Sequence, residues 1–228
     1  VMSFSEDSNG TIWIGTFLSG LYSYNPNNEK FTHHTSKDFS KLNINTSNIR
    51  KVLVDSDDNI WIGSRLGVFR VIKNSNSSYD VSSLNKKMNI ALGKKMESSI
   101  VFSLFEDNNK YLWIGTKGRG LFRYDKIKDS IEWYNSSNGL IHETISSITQ
   151  DQLGHLWLAG NNGLSKLDLQ NNKFINYNKS DGLLSNNFNF NSVHKSFSNE
   201  LYFGNSKGIN FFNPNTIKNN KEKPIVYL

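Results

Sequence analysis

The stretch Ile12-Trp13-Ile14-Gly15-Thr16 returns as Ile60-Trp61-Ile62-Gly63-Ser64, Leu112-Trp113-Ile114-Gly115-Thr116 and Leu156-Trp157-Leu158-Ala159-Gly160, then once more, weakened, as Leu201-Tyr202-Phe203-Gly204-Asn205. The anchors Trp13, Trp61, Trp113, Trp157 and Tyr202 stand 48, 52, 44 and 45 residues apart, and a period of about 40–50 residues built from short strands is the mark of propeller blades. Successive side chains of a strand point to opposite faces. A strand apolar on both faces therefore needs a sheet packed on each side, which blades stacked around an axis provide.

Working outward from the anchors, the first copy parses into strands at 2–5, 11–15, 20–24 and 30–33, a four-stranded antiparallel meander closed by Glu6–Gly10 and Asn25–Asn28 turns. The later copies give first strands at 49–54, 101–105, 145–149 and 192–197 and third strands at 67–71, 120–124, 163–167 and 208–212. Blades are expected to start near residues 1, 48, 100, 144 and 190, with the propeller spanning 1–217. Asp7, Asp57, Asp107 and Asp151 lie ahead of the second strands, where a carboxylate caps its own turn. Gly20, Gly67, Gly120, Gly163 and Gly208 open the third strands. The segment 73–99 interrupts the second period, with a fourth strand expected at 79–84 and a loop or short helix at 86–96. No fourth strand is legible in the last copy.

Composition narrows the function classes. Hydrophobic residues make up 36% of the 228 and aromatics 13%, so the core rests on a few large, regularly spaced side chains. The net charge of +6 is spread through Asn- and Ser-rich turns and forms no stripe, which argues against nucleic-acid binding. With no cysteine there is no disulfide or thiolate site. No cofactor is expected. The run Asp55-Ser56-Asp57-Asp58-Asn59 lacks the Gly and distal Glu of a calcium loop, so no metal site is expected either. The five histidines show no metal or catalytic spacing, and His142-Glu143 is the lone acid/base pair.

Strand alternation puts the turns between second and third strands on the same end as the connections between blades. Arg65, Lys117, Arg119, Asn161, Asn162 and Lys207 fall there, joined by His142, Glu143, Asn187 and Phe188 from the connections. Amides and guanidinium groups that bind hydroxyls, beside a ring face, make a candidate sugar site, and the cations suit a carboxylate or sulfate. Trp133, on a fourth strand beside Tyr134, breaks the repeat pattern and reads as edge packing or a contact.

Four phrases carry a family resemblance: the Asp-x-x-Gly-x-Ile-Trp-Ile-Gly-Thr core, the Gly-Leu-Tyr/Phe-x-Tyr third strand, Ser180-Asp181-Gly182-Leu183-Leu184-Ser185-Asn186-Asn187-Phe188-Asn189, and the stretch from Leu201 to Pro214. They resemble the regulator-propeller repeats of Bacteroides-type hybrid two-component sensors, with the last two phrases similar to the closing blade of the second propeller. Lys223-Pro224-Ile225-Val226-Tyr227-Leu228 resembles the linker (218–228) into an immunoglobulin-like sandwich. The resemblance implies a periplasmic, non-enzymatic sensor segment that detects glycan breakdown products, belongs to a homodimeric receptor with a histidine kinase elsewhere, and meets the membrane only through flanking segments. It also implies a propeller of more blades, commonly seven, of which five are seen in a chain that opens inside a repeat. A propeller lyase or glycosidase and an interaction scaffold are the alternatives.

Overall fold

The computed structural model describes residues 1–35, 48–74, 78–93 and 100–217. The proposed linker at 218–228, the connection at 36–47 and the end of the second-blade insertion at 94–99 lie outside the described residues. Five antiparallel sheets form a β-propeller. The first is β1 (Ser3–Glu6), β2 (Ile12–Gly15), β3 (Leu21–Asn25) and β4 (Lys30–His34), and the second is β5 (Ile49–Val54), β6 (Ile60–Ser64), β7 (Gly67–Lys73) and β8 (Tyr79–Ser83). Then come β9 (Val101–Glu106), β10 (Leu112–Thr116), β11 (Leu121–Asp125) and β12 (Ser130–Tyr134), and β13 (Ile145–Gln150), β14 (Leu156–Gly160), β15 (Gly163–Asp168) and β16 (Lys173–Tyr177). The last sheet has three strands, β17 (Phe188–Lys195), β18 (Leu201–Asn205) and β19 (Gly208–Phe212).

The repeat explains the local structure. In each of the first four copies one carboxylate oxygen of the hairpin Asp accepts two backbone N–H groups, as Asp107 Oδ1 does from Asn109 (2.9 Å) and Tyr111 (3.0 Å). The second oxygen accepts the indole N–H six residues on: Trp13 to Asp7 at 2.9 Å, Trp61 to Asp55 at 2.8 Å, Trp113 to Asp107 at 2.7 Å and Trp157 to Asp151 at 2.9 Å. In the second copy the capping residue is thus Asp55, not the expected Asp57, because the six-residue reach to the indole fixes the position. The fourth residue of each turn is left-handed, at Gly10, Asp58, Lys110, Gly154 and Asn199. In the fifth copy Ser196 replaces the Asp and Tyr202 the Trp; the Ser196 hydroxyl still accepts the Glu200 N–H at 3.1 Å, and the Tyr202 hydroxyl donates to Glu200 at 3.0 Å.

Packing follows from the alternation within each anchor phrase. Trp13 is buried against Ile49, Val52, Ile60 and Ile62 of the second blade, and Trp61 against Val101, Leu104, Leu112 and Ile114 of the third. Trp113 and Trp157 fill the next two intervals in the same way. Each seam therefore takes an indole from one blade and a set of apolar side chains from the next, mainly aliphatic in the first three seams and including Phe188 and Phe203 in the fourth. At about 25 cal/mol per Å², an indole burying 150–250 Å² contributes roughly 4–6 kcal/mol before entropy is counted. The glycine after each anchor permits the close approach: a Cβ on Gly63 would stand 2.7 Å from Val101 Cγ1, while in the fourth blade Ala159 fits its methyl into the seam.

One further expectation is corrected. The first strand of the last blade runs from Phe188 to Lys195 in place of 192–197, leaving Phe197 fully exposed at the hairpin tip. The register explains the shift: from Phe188 to Val193 is five steps on β17 against two on β18, where the matching stretch of blade four, Ile145 to Ile148, takes three. Residues 189–192 bulge toward the axis as a result. Within the insertion, α1 (Asn85–Ala91) packs against β12, with Met88 buried in the second seam. Trp133 is half-buried there, and its indole N–H donates to the Arg119 carbonyl at 2.7 Å, so it packs an edge.

Candidate functional site

The first-strand residues that step out of register point to the axis. On β5 the pairing passes from Ile49–Ser64 to Lys51–Gly63 and skips Arg50; on β9 it skips Phe102, and on β13 Ser146. The Arg50 guanidinium carbon lies 5.9, 5.3 and 5.7 Å from the ring centroids of Phe17, Phe102 and Phe190, from three other blades, and Phe102 and Phe190 stack at 5.8 Å. Asn191, from the β17 bulge, reaches across the axis to donate to the Arg50 carbonyl at 2.7 Å. This end, where the connections between blades also gather, is the mouth of the propeller.

Among the described residues, Arg50 at the mouth faces the positive charge of Arg65. Burial, followed by the repulsion of Arg65, lowers the Arg50 pKa from its ordinary value, and burial alone lowers that of Lys51. Among the described residues neither the Arg50 guanidinium nor the Lys51 ammonium has a hydrogen bond or ion pair, and Arg50 Nε and Asn48 Oδ1 are both buried without a partner.

The predicted site residues all lie at or near this end, in unequal circumstances. Arg65, Lys117, Asn161, Asn162, Asn187 and Lys207 are exposed on its turns, and Arg119 is half-buried, its carbonyl under Trp133. His142 Nδ1 accepts the Thr144 N–H at 3.0 Å. The Glu143 carboxylate accepts the Ser136 hydroxyl at 2.9 Å, and one blade later Asn186 accepts the Lys179 N–H at 2.8 Å. These seven-residue bonds both brace a 3₁₀ turn, so Glu143 has a repeated structural task. Phe188 is corrected to a core side chain: it is 5% exposed, against Phe203, and offers no ring face to a ligand. Among the described residues, Phe17, Phe102 and Phe190 are the rings around Arg50 at the mouth. Sequence reading missed Arg50 and Lys51 because a strand pattern gives no sign of the bulge that redirects them.

A second polar cluster sits at the opposite, hairpin end. Asp55, Asp57 and Glu106 bring carboxylate oxygens within 4.8 Å of one another, and the Lys126 ammonium lies among them at 2.9, 3.0 and 2.5 Å. Lys126 thus occupies the place a cation would take. Burial works against its charge, but the bonds from Glu106, Asp55 and Asp57 win and raise its pKa. Bonds from Lys110 and Lys126 hold Asp57 down at about 2. For Asp55 burial pulls upward and is outweighed by the bonds from Trp61, Lys126 and Asn59.

The family described as two component regulator propeller matches residues 1–17, 43–65, 95–118 and 139–162, each segment ending in or just past an anchor phrase. Four stretches of the chain, one at each of the first four blades, thus match two-component regulator propeller repeats. The chain is 30% identical over 227 residues to histidine kinase P4 of Formosa agariphila, covering 99% of this chain and 16% of that protein. Among solved structures it resembles the extracellular domain of a putative hybrid two component system from B. thetaiotaomicron, with a TM-score of 0.74 and 23% identity over 92% of this chain and 26% of that one. Virginiamycin B lyase from Staphylococcus aureus shares the fold, at a TM-score of 0.65 and 14% identity over 95% of this chain and 70% of the lyase chain. These regulator-propeller repeats therefore span only a small part of the longer proteins they match. Among the described residues no helix is long and apolar enough to cross a membrane.

Proposed function

We propose that these repeats form the ligand-binding sensor propeller of a hybrid two-component histidine kinase, displayed on the periplasmic side, that responds to glycan breakdown products without catalysing their turnover. The observation that carries this reading is the likeness to a histidine kinase across nearly the whole chain, together with the regulator-propeller match at four of the five blades. The mouth supplies a polar, ring-lined surface suited to a sugar, and the acid/base pair His142-Glu143 is engaged in turn bonds.

The partners in this reading are an oligosaccharide, the rest of the ectodomain and a second receptor copy. Blade one exposes Phe4 and Phe31 on the face turned from its neighbour, and blade five exposes Ile209 and Phe211. Further blades of a larger, seven-bladed propeller are the cover proposed for both faces.

The test is a thermal-shift and calorimetry screen of the intact ectodomain against a broad oligosaccharide panel, with product analysis on every sugar. Saturable binding without turnover is expected. Absence of any response across the panel, or turnover of a bound sugar, overturns the proposal.

A further inference from the structure

Among the described residues, the Arg50 guanidinium at the mouth has no hydrogen-bond acceptor or ion-pair partner. Arg50 is held between three phenylalanine rings of other blades, yet its Nε is buried without an acceptor and no carboxylate faces the guanidinium among the described residues. Its neighbour Lys51 interrupts a series. At the matching position of other blades, Ser3, Ser103 and Ser147 bond the next inner strand, through Val52 at 3.3 Å, Ile145 at 3.2 Å and Asn189 at 3.3 Å. Lys51 replaces that neutral bridge with a desolvated charge. Arg65 stands near enough to disfavour the Arg50 charge further. A desolvated guanidinium facing a second cation, with no carboxylate upon it among the described residues, costs stability, and an anion placed against it removes that cost.

We propose that the mouth is an anion-recognition site that takes the carboxylate or sulfate of an acidic sugar, with Arg50 as its fork-shaped donor. The three rings hold the guanidinium plane through cation–π contact and leave its outer N–H groups for the ligand. This rests on the sensor reading above and names the ligand class within it. The competing account is an arginine that merely fills the axis with its stem. An equally long apolar side chain would then serve as well.

Two measurements on the intact ectodomain separate these accounts and separate the inference from the sensor reading. The first is a thermal-shift titration with sodium sulfate against sodium chloride at matched ionic strength, for the wild type and Arg50→Met. Sulfate stabilises folded proteins generally, and both proteins share that part. Expected is an additional, saturable shift in the wild type that Arg50→Met loses. An equal response in both proteins overturns the site.

The second measurement is calorimetry with β-1,4-mannotetraose and β-1,4-tetramannuronate, which differ in carrying hydroxymethyl or carboxylate groups, alongside sulfated oligosaccharides. Expected is binding of a carboxylated or sulfated sugar at least roughly tenfold tighter than the neutral one, falling roughly 10- to 100-fold in Arg50→Met. Neutral sugar bound as tightly as every acidic one overturns the anion site and leaves the sensor reading standing. A sulfate shift that depends on Arg50, with no sugar bound, supports the anion site and overturns the sensor reading. Should Arg50→Met fail to fold, Arg50→Lys, which keeps the charge and loses the fork, is expected to weaken acidic-sugar binding; unchanged binding overturns the site.

Discussion

At the hairpin end of the propeller, Asp7, Asp55, Asp107 and Asp151 repeat one bonding pattern, two backbone N–H groups on one oxygen and an indole N–H on the other. At the mouth, the equivalent out-of-register positions hold Arg50, Phe102 and Ser146, which share no chemistry. The first end is largely closed: even its three-carboxylate cluster is bridged from within by Lys126. The second leaves Arg50 Nε and Asn48 Oδ1 unsatisfied. Repetition of one bonding pattern, with Arg70 Nε the exception among the described buried atoms, marks the end that builds the fold. Variation with unmet bonding marks the end free to meet something else.

The comparison breaks most visibly at an anchor. Trp113→Ala, at a fully buried indole, is expected to cost about 3–5 kcal/mol in urea unfolding. A loss below 1 kcal/mol would mean the seams do not carry the stability. Next comes Lys126→Met, which strands three close carboxylates and is expected to cost about 3 kcal/mol at pH 7.

The sign with pH follows from the lowered carboxylates. Their contribution is complete above the ordinary carboxylate pKa and is lost as pH falls toward the folded value, about 2 for Asp57. The gap between Lys126→Met and wild type should therefore narrow between about pH 4 and 2. A constant gap would show that Lys126 acts by packing alone. Gly63→Ala should cost about 1–3 kcal/mol by crowding Val101, whereas Ala159→Gly should cost about 1 kcal/mol or less.

Arg50→Met sharpens the contrast from the other side. Removing an uncompensated cation is expected to leave stability within about 1 kcal/mol of wild type. A loss above about 3 kcal/mol would place Arg50 in the framework and erase the distinction between the ends. The smallest effect is a repair. Ser196→Asp with Tyr202→Trp restores the turn bonds in blade five and is expected to add about 1 kcal/mol; a destabilised double variant would show that the weakened copy is adapted to its own bonds.

Much of the hairpin end was legible in the sequence because its physics is local. The Asp-to-Trp spacing of six residues, the left-handed fourth turn position and the apolar alternation are all short-range, so strands such as Ile49–Val54 and Gly208–Phe212 fall where the pattern puts them. The indole bond itself was readable from that spacing, and it would have selected Asp55 over Asp57. The mouth resists such reading because its contacts join distant segments: Arg50 meets rings at positions 17, 102 and 190. The same limit holds at the hairpin end for Lys126, which reaches carboxylates about 70 residues earlier. Phe188 looked like a free ring beside asparagines, and only the extended β17 register turns it inward while Phe190 goes to the axis.

The alternation of Trp13 toward one side and Ile12 and Ile14 toward the other has a consequence for how such a chain can be divided. No blade owns a complete core; each lends half of its apolar surface to either neighbour, so the cooperative element is the interval between sheets. Excising a single sheet would forfeit two intervals, while shortening the array from one end forfeits one. Workable truncations therefore peel terminal sheets in order and never cut within the series.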